Sequence, residues 1–86
     1  MTMTSQTVPE SLRTIIADLF DISPDRVSPD LTVGSIEGWD SFGHLQAILA
    51  MENEYGVQFD PSRIPELTSV ALLMQELEAH GVTFRT

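Results

Sequence analysis

The absence of cysteine is the feature that most constrains how these 86 residues can fold. Disulfides and thiolate metal sites cannot brace the chain, so its core must come from apolar side chains packed between helices or strands. Hydrophobic residues make up 42% of the sequence, which is enough for one modest core. We therefore expect a single small domain without a deep catalytic cleft.

The chain is strongly acidic. The sequence has thirteen Asp and Glu residues and only four Lys and Arg residues, which gives a net charge of −9. This charge argues against binding to nucleic acid or to an anionic membrane, because those contacts need basic side chains. It favours partner proteins with basic patches, although the same charge would also keep a small domain soluble. Residues 1–7 lack the basic and apolar regions of an export signal, so we expect a cytoplasmic protein. We also expect a monomer.

Helical periodicity predicts an all-α fold with four helices. Apolar residues recur at helical spacing in segments 8–20, 41–55 and 69–80. A third, very short helix is predicted to begin at Asp60-Pro61, because Pro65 follows only four residues later. No segment predicts a convincing strand.

The predicted domain boundaries follow from these helices. We expect a flexible N-terminus over residues 1–7, a folded domain over 8–81 and a short tail over 82–86. Thr7 and Glu10 have the spacing of a capping box, which predicts that the first helix begins between them.

A long loop, residues 21–40, joins the first two helices. Pro24 and Pro29 prevent a continuous helix there. Five apolar residues are spaced along the loop: Ile22, Val27, Leu31, Val33 and Ile36. We expect them to hold the loop against the core. Loops of this length in compact domains are usually functional, which directs attention to Ser41 at its end.

Asp40 and Ser41 stand where the second helix begins. Asp40 is a good N-cap, and a serine in the first turn is ordinarily just a helix-start residue. His44 lies one turn further on, but a Ser41–His44 hydrolase would lack both the Gly-x-Ser-x-Gly elbow and an orienting acid. His44 and His80 are too far apart, with too few companions, to suggest zinc.

The second helix carries two neighbouring stripes. One holds apolar residues and His44, while the other contains Ser41, Leu45, Leu49 and Glu52. Either Leu45 and Leu49 belong to the core and His44 is exposed, or the two leucines form an exposed apolar patch beside Ser41. We favour the patch, because partner sites commonly combine an apolar centre with a polar rim. The acidic residues available for such a rim are Glu37, Asp40, Glu52 and Glu54.

The segment Asp40-Ser41-Phe42, at the head of an acidic helix, resembles the Asp-Ser-Leu signature of acyl carrier proteins. The likeness covers residues 8–81 and includes two further segments, Glu52 to Tyr55 and Leu67 to Val70. The resemblance implies a four-helix bundle of acyl-carrier type, with a long loop between helices 1 and 2 and a very short helix 3. It also implies a carrier that is not an enzyme.

The resemblance implies that Ser41 is the attachment site of a 4′-phosphopantetheine arm from coenzyme A, with Asp40 as the helix N-cap beside it. The arm would hold acyl groups as thioesters. The implied partners are a phosphopantetheinyl transferase and acyl-loading, condensing or modifying enzymes with basic docking patches. The residues that such enzymes would contact are Glu37, Phe42, Leu45, Leu49, Glu52 and Glu54.

Some residues depart from the typical pattern of the family. Phe42 replaces the usual leucine, and Gly43-His44 is unlike the typical fatty-acid-synthesis sequence. These departures favour polyketide or another specialised (secondary) pathway. The alternatives are a carrier for fatty-acid synthesis, an aminoacyl or peptidyl carrier, and an acidic helical adaptor that is never modified.

Overall fold

The computed structural model describes residues 8–83, and this part of the chain is all-α, as predicted. It contains three α-helices: α1 (Glu10–Phe20), α2 (Ser41–Tyr55) and α3 (Val70–Ala79). Two short 3₁₀ helices lie in the connections, one before α2 and one before α3: Pro24–Arg26 and Ile64–Glu66. Residues 8–83 include no strand, only an isolated antiparallel bridge between Thr32 and Ser69.

Helix α1 is preceded by Pro9 at its N-cap, a residue without a side-chain hydrogen bond to offer the first turn. The predicted capping box cannot be placed, because Thr7 lies outside the described residues. At the other end Asp21 adopts a left-handed conformation (φ 56°), and its N–H bonds to the carbonyl of Ala17. The buried residues of α1 are Leu12, Ile16, Ala17 and Phe20.

The loop between α1 and α2 is held against the core, which confirms the prediction. Its five apolar residues are buried or packed against the buried core: Ile22, Val27, Leu31, Val33 and Ile36. The backbone of the loop is also bonded to the start of α3. Val33 N–H donates to Thr68 O at 2.9 Å, and Val70 N–H donates to Leu31 O at 2.9 Å.

The predicted third helix is present only as the 3₁₀ helix Ile64–Glu66, so the expected start at Asp60-Pro61 is wrong. The Asp60 carboxylate accepts hydrogen bonds from the backbone N–H and the hydroxyl of Ser62, both at 2.9 Å. These bonds close a local turn instead of capping a helix. Pro65 has no N–H to donate to the preceding turn, which limits the helical segment to a single turn.

Helix α3 begins and ends as predicted. Its N-cap is Ser69, whose hydroxyl accepts a hydrogen bond from Leu72 N–H at 3.2 Å, and Gly81 follows with φ 89°. Four residues of α3 are buried: Val70, Leu73, Met74 and Leu77. Val82, beyond the end of α3, also packs against the core.

Candidate functional site

Ser41 is the first residue of α2, and its side chain is exposed. Asp40 is the N-cap, as predicted: its Oδ1 accepts a hydrogen bond from Gly43 N–H at 2.8 Å. The His44 N–H makes the first helical bond, to Asp40 O at 2.8 Å. The N–H groups of Ser41 and Phe42 precede that bond, so the start of α2 presents donors and a positive dipole end next to the Ser41 hydroxyl.

The loop that leads into Ser41 is anchored by Trp39. This side chain is fully buried, and its ring stacks on Phe20 with 5.3 Å between centroids. The Trp39 carbonyl also accepts a hydrogen bond from Gly34 N–H at 2.8 Å. The Gly38 carbonyl lies directly against Gly43 on the first turn of α2, at a point where any Cβ on Gly43 would overlap it.

His44 is buried behind Ser41 and both of its ring nitrogens are engaged. Trp39 Nε1–H donates to His44 Nδ1 at 3.1 Å, and His44 Nε2 lies 3.0 Å from Ile64 O. Because an indole N–H can only donate, Nδ1 is the acceptor and Nε2 carries the proton given to the carbonyl. The imidazole is therefore neutral and has no lone pair free to accept the proton of Ser41. The Ser41–His44 hydrolase hypothesis is wrong for this reason.

A mostly apolar cavity of about 340 Å³ opens beside Ser41. It lies between the first turns of α2 and the 3₁₀ helix Ile64–Glu66. The residues that line it are Val33, Ser41, His44, Leu45, Ile64, Pro65 and Thr68. The sequence analysis missed this cavity, because its walls come from segments far apart in the chain.

The exposed side of α2 carries an apolar stripe, here called the α2 stripe: Phe42, Leu45 and Leu49. Their side chains are 69%, 51% and 63% exposed, respectively. His44 is buried at 7% exposure, so the alternative with exposed His44 and buried leucines is wrong. A fourth exposed apolar side chain, Leu72, lies on α3 and not on this stripe.

The acidic residues that the sequence analysis assigned to the rim of the patch differ in their exposure. Glu37, Asp40 and Glu54 are exposed. Glu52 is half-buried, and its Oε2 accepts a hydrogen bond from Phe59 N–H at 2.8 Å. Three of the four acidic residues named from sequence therefore present their side chains to solvent, while Glu52 also stabilises the turn after α2.

The 3₁₀ helix beside the cavity is tied to α3 on its outer side. Arg63 contacts Glu76 at 2.9 Å and Glu66 at 3.3 Å. His80 Nε2 lies 3.4 Å from the other carboxylate oxygen of Glu76. The hydrogen bond from Arg63 lowers the pKa of Glu76 below its ordinary value, and the same bond raises the pKa of Arg63. None of these four residues lines the cavity beside Ser41.

The sequence profile of the family described as "Phosphopantetheine attachment site" matches residues 10–77, which is most of the chain. An acyl carrier protein of Nitratidesulfovibrio vulgaris (strain DP4) is 32% identical over 63 residues, or 73% of this chain and 83% of the relative. The chain belongs to the acyl carrier protein family. An acyl carrier protein of Thermosynechococcus vestitus is 26% identical over 68 residues, covering 79% of this carrier and 84% of its own length.

Membership in this family defines the general role of the chain. Acyl carrier proteins are non-catalytic carriers, and their attachment domain bears a 4′-phosphopantetheine prosthetic group. The geometry at the start of α2 fits that group, because an exposed hydroxyl stands at a helix N-terminus beside an apolar cavity. No helix within residues 8–83 is long and apolar enough to span a bilayer.

Proposed function

We propose that Ser41 is the residue of this carrier that bears the 4′-phosphopantetheine arm. The observation that supports it is the placement of an exposed hydroxyl at the first position of α2, held by the Asp40 cap and the buried Trp39. A phosphodiester at this position would lie near the free N–H groups of the first turn. That placement stabilises the anion by about 0.3–1 kcal/mol.

The attachment is a phosphoryl transfer to the Ser41 oxygen, carried out within a phosphopantetheinyl transferase. Ser41 Oγ attacks the phosphorus of coenzyme A that carries the pantetheine, and the pyrophosphate bond to the nucleotide breaks. Adenosine 3′,5′-bisphosphate leaves, and the hydroxyl proton passes to a base of the transferase. The terminal thiol of the attached arm supplies thioester chemistry when acyl groups are loaded.

Intact mass measurement tests the attachment. The apo protein is incubated with coenzyme A and a broad-specificity transferase, and we expect the mass to rise by one phosphopantetheine. Ser41→Ala should show no gain, whereas Ser62→Ala, which removes a hydroxyl bonded to Asp60, should be modified like the wild type. If the wild type gains no mass beside an active control carrier, the chain is instead an unmodified acidic adaptor.

The α2 stripe and its acidic neighbours form the proposed docking surface for the enzymes that load, extend or modify the cargo. The stripe starts at the residue after Ser41 and continues for two turns of the helix. Glu37 and Glu54, two acidic residues assigned to this surface from the sequence, are exposed. An apolar centre with acidic neighbours is complementary to a groove rimmed by Lys and Arg, and such charges mainly raise the rate of encounter.

Charge reversal tests the docking surface. Glu54→Lys should lower kcat/KM of the transferase for this carrier, with the loss decreasing as salt is added. Asp18→Lys makes the same change in net charge on an exposed residue of α1 and serves as the matched control. Equal effects of the two substitutions would show that total charge, and not this surface, is what partners sense.

The finer assignment rests on the resemblance and on composition. We propose a monomeric cytoplasmic carrier of polyketide or other specialised metabolism, because Phe42 and Gly43-His44 depart from the housekeeping pattern. The 3₁₀ helix Ile64–Glu66 would take the place of the short third helix in a four-helix carrier bundle. Identification of the species bound to the thiol in protein from the native host tests the pathway, and a fatty-acid intermediate would refute it.

A further inference from the structure

One buried side chain connects the two walls of the cavity beside Ser41. Helix α2 forms one wall and the 3₁₀ helix Ile64–Glu66 forms the other. His44 projects from α2 and reaches the opposite wall through Nε2, 3.0 Å from Ile64 O. Its second nitrogen is held at 3.1 Å by the indole N–H of Trp39, in the loop that leads to Ser41. The end of the long loop, the first turn of α2 and the 3₁₀ helix, which lies 20 residues further along the chain, are therefore joined at one imidazole.

The bond to Ile64 is well placed to control the position of the second wall. The same Ile64 carbonyl accepts Leu67 N–H at 3.1 Å, which is the bond that closes the 3₁₀ turn. The Trp39 donor fixes His44 in the tautomer whose Nε2 can donate, so the imidazole needs no rearrangement to make this contact. Breaking this bond would leave a buried polar group without a partner. Because that costs free energy, the bonded state is favoured.

We propose that His44 is a positioning residue that sets the distance between α2 and the 3₁₀ helix, and with it the width of the cavity beside Ser41. The inference rests on the proposed attachment at Ser41, since the cavity is then next to the base of the arm. By fixing this width, His44 determines how much of a short apolar acyl chain the protein can shield from solvent.

The segment that contains the 3₁₀ helix has a second connection, an ion pair to α3, which differs from the His44 bond. Arg63 ties the segment to Glu76 on α3, but its side chain is half-exposed and lies away from the cavity. Solvent at the half-exposed Arg63 partly screens this ion pair, although the Glu76 side chain is only 11% exposed. Arg63→Gln therefore serves as a matched control that removes the ion pairs of the same segment but leaves the His44 bond and the cavity lining unchanged.

Loss of the His44 bond should let the 3₁₀ helix move away from α2. The expected effect is a factor of about five to ten in the equilibrium between shielded and exposed chain, which corresponds to one intramolecular hydrogen bond. His44→Leu puts an apolar side chain in the place of the imidazole and makes neither bond. His44→Gln keeps a donor that can reach Ile64 O, so it should retain most of the effect.

The experiment uses holo protein loaded with acetyl or hexanoyl groups, and measures the rate at which hydroxylamine cleaves each thioester. The quantity of interest is the acetyl-to-hexanoyl rate ratio, normalised to the same thioesters on free pantetheine. General loss of stability changes both rates together, whereas a change in the cavity changes the ratio. We expect a ratio well above one in wild type, Arg63→Gln and His44→Gln, and a drop of about five- to tenfold in His44→Leu.

The outcomes separate this inference from the proposed function. If no arm can be attached, the proposed function fails before the ratio is measured. If the arm is attached but wild type and His44→Leu give the same ratio, the positioning role is overturned. Should His44→Leu not fold, ¹⁵N spectra of the wild-type imidazole decide the matter: a proton on Nε2 supports the bond to Ile64, and a proton on Nδ1 overturns it.

Discussion

Substitution of Gly43 tests how closely the loop that leads into Ser41 packs against the first turn of α2. A glycine inside a helix usually gains about 0.8–1.0 kcal/mol when it is replaced by alanine, because alanine loses less backbone entropy. Here a Cβ on Gly43 would overlap the carbonyl oxygen of Gly38 and lie 3.0 Å from Cε1 of Phe20 and 3.4 Å from Oδ1 of Asp40. Steric conflict therefore predicts that Gly43→Ala lowers the free energy of unfolding, whereas helix propensity predicts that it raises it.

The steric conflict should win. The Gly38 oxygen belongs to the backbone and cannot rotate away like a side chain, and its segment is confined by Phe20 on the other side. Overpacking of this kind costs about 1–3 kcal/mol. Over most of that range, the cost exceeds the gain in stability from helix propensity. After the gain from propensity is subtracted, we expect Gly43→Ala to lower the free energy of unfolding by up to about 2 kcal/mol, and Tm by roughly 4–8 °C per kcal/mol.

Urea denaturation followed by circular dichroism measures this change. Gln46→Ala and Gln46→Gly, at an exposed position of the same helix, provide the matched pair that isolates helix propensity. Their difference should be close to 1 kcal/mol in favour of alanine. If Gly43→Ala stabilises the protein by that same amount, the close approach of Gly38 to α2 is not part of the folded state and the reasoning is refuted.

Three further predictions concern the cap, an ion pair and a tyrosine. Asp40→Ala should lower the free energy of unfolding, measured by urea denaturation, by about 1 kcal/mol, because Gly43 N–H loses its acceptor. Asp40→Asn should retain most of the stability, because its side-chain oxygen can still accept this bond. The hydrogen bond from Arg63 lowers the pKa of Glu76 below 4.5, so its stabilising effect is present above that value and lost as pH falls through the lowered pKa. Thermal unfolding should therefore show Glu76→Gln less stable than wild type at neutral pH and similar in strong acid. Burial raises the pKa of Tyr55 above 10.0, so stability should decline as pH rises through that raised value, and less so in Tyr55→Phe.

Each of these has a result that would contradict it. A cap that matters only through charge would make Asp40→Asn as unstable as Asp40→Ala. A deficit in Glu76→Gln that persists unchanged in strong acid would point to packing and not to the ion pair. Parallel alkaline profiles of wild type and Tyr55→Phe would exclude ionisation of Tyr55 as the cause of the decline.

The features that could be predicted from the sequence are those determined by local chemistry. Asp40 was recognisable as an N-cap, because its carboxylate acts on an N–H group within one turn of itself. The proline-rich loop could be placed on the core because its apolar residues needed burial. The identity of Ser41 as a candidate site came from the resemblance, since position alone indicates only a helix start.

The features that could not be predicted depend on contacts between distant segments. The bond from His44 to Ile64 spans 20 residues, and the bond from Phe59 to Glu52 depends on how the chain returns after α2. Sequence spacing placed His44 on a helix face but could not say which backbone would meet it. The burial of Trp39 was missed for a similar reason, because its partner Phe20 lies on the far side of the long loop.

The burial of Trp39 makes it a natural optical probe of the attachment site. It is the single tryptophan of the chain, two residues before Ser41, stacked on Phe20 and bonded through its indole N–H to His44. Indole emission is sensitive to the polarity and hydrogen bonding around the ring. Loading of the arm, entry of a chain into the cavity or docking of a partner can thus be followed in the unlabelled protein by its own fluorescence.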